Sequence, residues 1–204
     1  MAETEADRMI ESVSIPEGTK GHWRVERFQV DQSDSNMSKM RAIVGGGRGY
    51  IPPGTYTQLI HAKRGVVMSD TPDERRDHRL AVQKSHGHVL INGLGIGMVL
   101  AAILKKTEVE HITVVEIDPD VIDLVGPHYS SDRVDIIECD AFDYKPPKGV
   151  HYGAVWHDIW DTICSDNLTE MTRLKRKYGR RADWQGCWCE DQCRYQQRRM
   201  EHWS

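Results

Sequence analysis

Three glycines separate two apolar segments near the middle of the chain, and this feature limits the possible folds most strongly. The run Val89 to Asn92 precedes Gly93-Leu-Gly-Ile-Gly97, and residues 98 to 106 then have a helical composition. Such a turn brings the backbone close to a ligand, and the first N–H groups of the helix face it. The Gly-x-Gly-x-Gly spacing differs from a dinucleotide fingerprint, which needs glycine or alanine where Met98 stands. The turn indicates a nucleotide site, with a plain tight turn as the alternative.

The region after residue 70 alternates between strand-like and helix-like patterns. A capping Thr71 followed by Pro72 predicts a helix to Lys84. Further helices are predicted over 97–106, 119–125 and 168–181, and strands over 89–92, 112–117, 134–138 and 152–157. This alternation predicts an α/β fold with a mostly parallel, doubly wound, Rossmann-like sheet. The C-terminal half looks abbreviated, since it lacks the clear sixth and seventh strands that such a sheet usually has.

The first 70 residues predict two smaller units. Residues 1–20 combine many acids with proline and glycine, which indicates a flexible arm. Residues 21–70 show short strand patterns over 23–30, 40–44, 56–60 and 65–68, which predict a small antiparallel β-hairpin region. Residues 71–204 then form the nucleotide-binding domain, including a basic tail with cysteines and tryptophans.

Carboxylates follow three successive predicted strands of the parallel sheet. Glu116 lies nineteen residues beyond Gly97, where a carboxylate can bind both ribose hydroxyls. Asp140 follows the next strand and Asp158 the one after it. Because ligands of open parallel sheets bind at the carboxyl ends of strands, we expect all three side chains at one crevice. A helix cap is the alternative for Asp140 alone.

From Gly65 to Asp161 the sequence resembles spermidine synthase and its relatives within the class I S-adenosylmethionine-dependent methyltransferase superfamily. The similar segments are 65–70 with Asp73-Glu74, then 89–97, 115–122, 132–134 and 139–142. The resemblance implies S-adenosylmethionine, or its decarboxylated form, as cofactor. It implies that Glu116 binds the ribose, Asp140 the adenine amino group and the glycine loop the methionine moiety. The cofactor-binding set expected on this basis is Asn92, Gly93, Leu94, Gly95, Gly97, Glu116, Ile117, Asp140, Ala141 and Asp158.

The segment Trp156-His-Asp-Ile-Trp-Asp161 departs from the family where the substrate is chosen. Polyamine synthases carry an Asp-Ser-Ser-Asp-Pro type of motif there, whereas this chain keeps Asp158 and Asp161 among bulky aromatics. These two aspartates are the candidate catalytic residues. Strand alternation places His157 and Asp158 on opposite faces, so only one can easily face the ligand, and we select Asp158. A structural strand-end carboxylate is the alternative. Trp156 and Trp160 are candidate walls of the substrate pocket, with core packing as the alternative.

The helix that follows Asp73-Glu74 also departs from the family. A Tyr-(His/Gln)-Glu element is usual there, but the chain reads Asp77-His-Arg79. The sequence therefore indicates an S-adenosylmethionine-dependent transferase, first a methyltransferase of unknown acceptor. There are two alternatives. One is an aminopropyltransferase, whose polyamine substrate would suit the acidic pair Asp158 and Asp161. The other is a non-catalytic cofactor-binding or interaction protein.

Composition sets limits on location and partners. The net charge of −4 and 28% charged residues are typical of globular proteins. The acidic start is not an export signal and no long apolar run occurs, so we expect a cytoplasmic protein that does not contact membranes. Residues 173–199 carry nine basic against three acidic side chains, which indicates a solvated face or, less strongly, a nucleic-acid or other anionic partner. A homodimer is a further possibility.

The five cysteines do not suggest a disulfide framework. Cys187, Cys189 and Cys193, with His202 downstream, could in principle bind zinc. Their spacing lacks the usual Cys-x-x-Cys knuckle, so we expect reduced thiols and no metal.

Overall fold

The computed structural model of the protein describes residues 10–44 and 47–202. In these residues two β-sheets pack beside helices: a four-stranded antiparallel sheet in the order β1-β2-β3-β4, and a five-stranded parallel sheet in the order β7-β6-β5-β8-β9. The strands are β1 Gly18–Lys20, β2 Trp23–Val30, β3 Gly54–His61, β4 Gly65–Ser69, β5 Gly87–Asn92, β6 Val109–Glu116, β7 Val134–Glu138, β8 Tyr152–His157 and β9 Ala182–Cys187. The helices are α1 Gln32–Val44, α2 Pro72–Lys84, α3 Met98–Leu104, α4 Pro119–Val125, α5 Asn167–Tyr178 and α6 Glu190–His202, with a 3₁₀ turn at Gly126–Tyr129.

The parallel sheet confirms the predicted Rossmann-like α/β fold. Strand β5 is central and pairs with β6 on one side and β8 on the other, so the chain order reverses beside it. The strands on both sides of this reversal, β6 and β8, are largely buried, as expected where helices cover both faces of a parallel sheet. The carboxyl ends of β5, β6, β7 and β8 therefore meet at one edge, where a ligand crevice is expected.

Helix α4 shows how local sequence fixes this edge. Asp118 precedes Pro119 and accepts a hydrogen bond from the backbone N–H of Asp120 at 3.0 Å, which caps the helix directly after β6. The chain thus turns sharply at the strand end and leaves Glu116 at the sheet edge.

The N-terminal region differs from its prediction in two respects. Residues 40–44 belong to α1 and not to a strand, because Gln32–Val44 continues as one helix. The prediction of a flexible arm is wrong for residues 10–20. Ile10, Val13 and Ile15 are buried in the main core, and Gly18–Lys20 forms β1. Residues 1–9 of that arm lie outside the described residues.

The tail contains regular structure that the sequence patterns did not indicate. Strand β9 pairs in parallel with β8, and α6 follows it. Cys187, Cys189 and Cys193 are buried within this element pair, with their thiols unlinked. Within the described ranges, no helix has the length and apolarity needed to span a membrane.

Candidate active site

A cavity of about 270 Å³ opens at the carboxyl edge of the parallel sheet, beneath the antiparallel sheet. Both sheets contribute to its walls. The described residues that line it are Trp23, Leu59, Arg64, Val67, Met68, Glu74, Gly93, Gly95, Val115, Glu116, Ile117, Asp118, Val121, Cys139, Asp140, Ala141, Phe142, Asp158, Ile159, Trp160, Asp161 and Trp188.

The glycine turn forms the floor of the cavity through Gly93 and Gly95. Both have positive φ, +100° and +53°, which favours glycine. A Cβ on Gly93 would lie 2.0 Å from the carbonyl oxygen of Asp158, and one on Gly95 would lie 2.3 Å from the sulfur of Met68. The turn is therefore a close approach of three chain segments that only glycine permits.

Three residues of the expected binding set, Asn92, Leu94 and Gly97, do not line the cavity. Asn92 is fully buried, and its amide contacts Nδ1 of His157 at 2.7 Å behind the sheet. Gly97 packs against the ring of Tyr129, whose hydroxyl donates to the carbonyl of Ile96 at 2.8 Å. Asn92 and Gly97 thus support the loop from behind instead of lining its ligand side.

Glu116 lies at the end of β6 and is almost completely buried. Its two carboxylate oxygens accept hydrogen bonds from the backbone N–H groups of Leu94, at 2.8 Å, and Asp118, at 3.0 Å. Burial raises the pKa of this carboxyl, and the backbone hydrogen bonds oppose the rise. Each oxygen keeps a further lone pair, so Glu116 can still accept a ligand hydroxyl.

Asp140 follows β7 and caps its own turn, because its Oδ1 accepts from the N–H of Phe142 at 2.7 Å. A turn and not a helix follows Asp140, so the helix cap considered for it is wrong, and the residue lines the cavity wall. Helix α5 fixes this turn from outside. Lys177 donates to the carbonyls of Ala141 and Phe142 at 2.9 and 3.0 Å, and the guanidinium of Arg173 lies 4.6 Å from the Phe142 ring centroid.

Asp158 lies in the cavity beside Glu74, and both carboxyl groups are perturbed. Burial, followed by the neighbouring charge of Asp77, raises the pKa of Glu74 to about 7. Burial, followed by the charge of Glu74, raises the pKa of Asp158 well above its ordinary value. Two carboxyls close together in a poorly solvated place resist double ionisation, and a cation between them would relieve this.

Two histidines adjoin Asp158 without facing solvent. Nε2 of His78 lies 3.7 Å from Oδ2 of Asp158, and burial lowers the pKa of His78 to about 4. Burial also lowers the pKa of His157 to about 4, and its ring lies behind the sheet beside Tyr178. Both imidazoles are therefore neutral near pH 7, and Asp158, not His157, lines the cavity.

Asp161 occupies the outer side of the cavity and is paired with a basic side chain. Nη1 of Arg64, in the turn between β3 and β4, lies 3.0 Å from Oδ2 of Asp161. The same guanidinium lies 4.9 Å from the ring centroid of Trp23, whose indole N–H donates to Asp118 at 2.7 Å. This chain of contacts connects the antiparallel sheet to the ends of β6 and β8.

Several cavity residues were missed or misjudged from sequence. Trp23 and Trp188 read as strand and tail residues, and Arg64 as part of a turn. Glu74 belongs to a segment of the family resemblance but received no role. Of the two tryptophans proposed as pocket walls, Trp160 lines the cavity, whereas Trp156 is core and stacks on Trp184 at 6.2 Å. The missed residues meet the strand ends only in the tertiary structure, where both sheets contribute to the cavity walls.

The cysteine cluster is separate from this chemistry. In the described part of the chain, no group of three or more histidine, cysteine, aspartate or glutamate side chains could hold a metal ion. The thiol of Cys189 instead donates to Asp77 at 3.3 Å, and Asp77 also binds Arg48 through two hydrogen bonds of 2.9 and 2.6 Å.

The residues present fit a nucleoside with an attached amino acid or amine. Glu116 and Asp140 supply acceptors at adjacent strand ends, and the close glycine turn leaves room beside β5. Ile117, Ala141 and Phe142 supply apolar contacts between those acceptors. This arrangement suits ribose hydroxyls, a purine amino group and a flat purine ring.

Comparison with known proteins assigns the family. The model of the spermine/spermidine synthase domain matches residues 77–178, half of the chain. The chain belongs to the spermine/spermidine synthase domain family. The matched segment starts in α2 and ends at the last residue of α5, so it contains the glycine turn and the ends of β6, β7 and β8. No curated protein sequence matches this family member.

Solved methyltransferase structures show weaker similarity. Human methyltransferase-like protein 13, in complex with SAH, is 20% identical over 53% of this chain and 55% of its own, with a TM-score of 0.39. The N-methyltransferase NodS from Bradyrhizobium japonicum WM9, in complex with S-adenosyl-l-homocysteine, is 13% identical over 54% of this chain and 57% of its own, with a TM-score of 0.43. A putative type II methyltransferase from Anaeromyxobacter dehalogenans is 15% identical over 51% of this chain and 40% of its own, with a TM-score of 0.37. The match thus spans about half the length of these proteins.

Proposed function

We propose that this family member is an S-adenosylmethionine-dependent transferase that alkylates an amine, first by methyl transfer. The observation that carries the proposal is that nucleoside-type acceptors and a separate carboxylate pair, Glu74 and Asp158, line one cavity. When bound, the cofactor supplies a sulfonium-activated alkyl group, so the transfer needs an aligned nucleophile and little else.

The chain's residues divide between two tasks in this proposal. Glu116 and Asp140 hold the ribose and the adenine amino group, and Gly93 and Gly95 permit close approach of the remaining part of the cofactor. Asp158 orients the amine and accepts its proton. A carboxylate with a raised pKa is better matched to this transfer than an ordinary one, because the difference in basicity between the two groups is smaller.

Aminopropyl transfer from the decarboxylated cofactor is the second candidate, and the charge of the cavity favours it. Six carboxylates line the cavity among the described residues, against one basic side chain, Arg64. The decarboxylated cofactor carries two positive charges and no carboxylate, so this environment stabilises it more than the intact cofactor.

Calorimetry with S-adenosylmethionine, its decarboxylated form and NAD tests the proposal. We expect saturable binding of at least one sulfonium compound and none of NAD. Mass spectrometry of the nucleoside product then separates the reactions, because methyl transfer releases S-adenosylhomocysteine and aminopropyl transfer releases 5′-methylthioadenosine. If neither sulfonium compound binds, the proposal is wrong. If one binds but no amine in a broad panel is alkylated, the assignment of an amine acceptor is wrong and the non-catalytic binding protein is favoured.

A further inference from the structure

The two aspartates that follow β8 are not equivalent in the structure. Asp158 lies at the inner end of the cavity near Glu74, and its side chain is 15% exposed. Asp161 lies at the outer side, is 31% exposed and forms the 3.0 Å ion pair with Arg64. One of the two carboxylates expected to hold a polyamine is therefore already neutralised by a side chain of the protein.

This difference affects a linear diamine most. Each ammonium group of a diamine loses hydration on binding and needs an acceptor or a carboxylate in return. Glu74 and Asp158 can provide this for one end. At the other end the ligand must displace Arg64 from Asp161, which would leave the guanidinium without that partner beside Trp23.

The other three carboxylates of the cavity lie on the side proposed to bind the nucleoside, and each already accepts hydrogen bonds from other groups of the protein. Asp118 accepts from the indole of Trp23 and from the N–H of Asp120, at 2.7 and 3.0 Å. Glu116 and Asp140 accept the backbone hydrogen bonds described above. None of them lies at the end of β8 or β9, where the acceptor would meet the cofactor.

Two aromatic side chains line the cavity after the ends of β8 and β9. Trp160 follows β8, and its indole N–H donates to Glu170 of α5 at 2.8 Å, which fixes the ring orientation. Trp188 follows β9, and its backbone N–H donates to the carbonyl of His157 at 2.8 Å, which ties it to the end of β8. Both indoles line the cavity next to Asp158. Indole surfaces bind alkyl and aromatic groups.

We propose that the acceptor is a monoamine whose nitrogen binds between Glu74 and Asp158 and whose aromatic or bulky apolar substituent packs against Trp160 and Trp188. This inference rests on the proposed transferase function and names the substrate class of the same cavity. It predicts that a slender polyamine is a poor substrate, because its second ammonium group loses hydration beside an aspartate that Arg64 already neutralises.

Two amines of similar length test the inference: 2-phenylethylamine and 1,4-diaminobutane. Turnover is measured with whichever cofactor form binds, and amine binding is measured by calorimetry with the corresponding nucleoside product present. We expect kcat/KM for 2-phenylethylamine to exceed that for 1,4-diaminobutane by about tenfold or more, as one well-packed contact between the phenyl ring and an indole would give.

Single substitutions assign this preference to its residues. Trp160→Leu and Trp188→Leu should each reduce kcat/KM for 2-phenylethylamine about tenfold, and change that for 1,4-diaminobutane less than threefold. Trp184→Leu is the matched control, because Trp184 stacks in the core and does not line the cavity. Arg64→Gln should improve use of 1,4-diaminobutane several-fold, since it frees Asp161.

Failure of this inference can be distinguished from failure of the proposed function. Absence of cofactor binding to the unsubstituted protein contradicts the transferase proposal itself. Normal cofactor binding with a preference for 1,4-diaminobutane, or with neither amine bound or alkylated, overturns the acceptor assignment alone. Equal losses for both amines in the Trp160 and Trp188 variants, with cofactor affinity and folding unchanged, also overturn it.

Discussion

The carboxyl pair Glu74 and Asp158 predicts that a cationic ligand binds more tightly as pH rises from 6 to 8. The pKa of Glu74 is raised to about 7, chiefly by burial and next by Asp77, while Arg48 opposes the rise. A cation binds the ionised carboxylate, which is roughly a tenth of the population at pH 6 and nine tenths at pH 8. The affinity should therefore increase about tenfold, or by ~1.4 kcal/mol, across this range.

The stability of the ligand-free protein should change in the opposite direction. A carboxyl whose folded pKa exceeds its unfolded value binds its proton more tightly in the folded state. This stabilisation is complete below the unfolded pKa of 4.5 and is lost as pH rises through about 7. The contribution of Glu74 is at most on the order of 3 kcal/mol, and Asp158 acts in the same direction.

Calorimetry with 2-phenylethylamine, which stays protonated over this range, measures the first effect, and urea unfolding between pH 5 and 8 measures the second. Titrations in two buffers of different ionisation enthalpy should show proton release near pH 6.5. Glu74→Gln should flatten most of both pH dependences, since it removes the titrating group and keeps its shape. An affinity that is constant or falls as pH rises, or a stability that increases as pH rises, would refute the raised pKa of this carboxyl pair.

Two substitutions with matched controls test the cofactor side of the cavity. Glu116→Ala should weaken cofactor binding at least tenfold, as measured by calorimetry. Glu138→Ala is the control, because Glu138 is exposed at a strand end outside the cavity, and it should not weaken binding. Equal effects of the two substitutions would count against Glu116 as the ribose acceptor. Gly97→Ala should cost roughly 3 kcal/mol in urea unfolding, because the positive φ of +75° is strained and the new Cβ would lie 2.1 Å from the Tyr129 ring. Gly149→Ala, at φ +86° with nothing within 4 Å, should cost only about 1 kcal/mol, and similar costs would contradict the packing argument.

The sequence predicted the parallel sheet because short apolar runs, most clearly in β5 and β8, alternate with helical segments. Strands β7 and β8 were predicted with the bounds that the structure shows, and α4 as well, since Asp118-Pro119 marks its start. Strand β9 was missed because Ala182–Cys187 contains no β-branched residue and includes glycine. The strand forms by pairing with the outer edge of β8, and this contact is not visible in the local sequence.

Helix α1 shows the opposite problem. Residues 40–44 read as a short apolar strand, but they end a mostly polar helix whose buried positions are small residues, Ser35, Ser38 and Ala42. The strand-end carboxylates could be located from spacing alone, because sheet topology brings successive strand ends together. The contacts of Arg64 with Asp161 and of Trp23 with Asp118 could not, since 97 and 95 residues separate the partners and no local pattern relates them.

The turn between β3 and β4 places Arg64 over a cavity whose floor belongs to a different sheet. Surface turns tolerate substitution and insertion more readily than the elements they connect. In the transferase proposed above, changes in this turn would therefore alter which acceptor enters while the parallel sheet and its nucleoside contacts stay the same. Acceptor choice and cofactor binding could then diverge independently among related chains, and the turn is the first place to redesign substrate preference without disturbing the core.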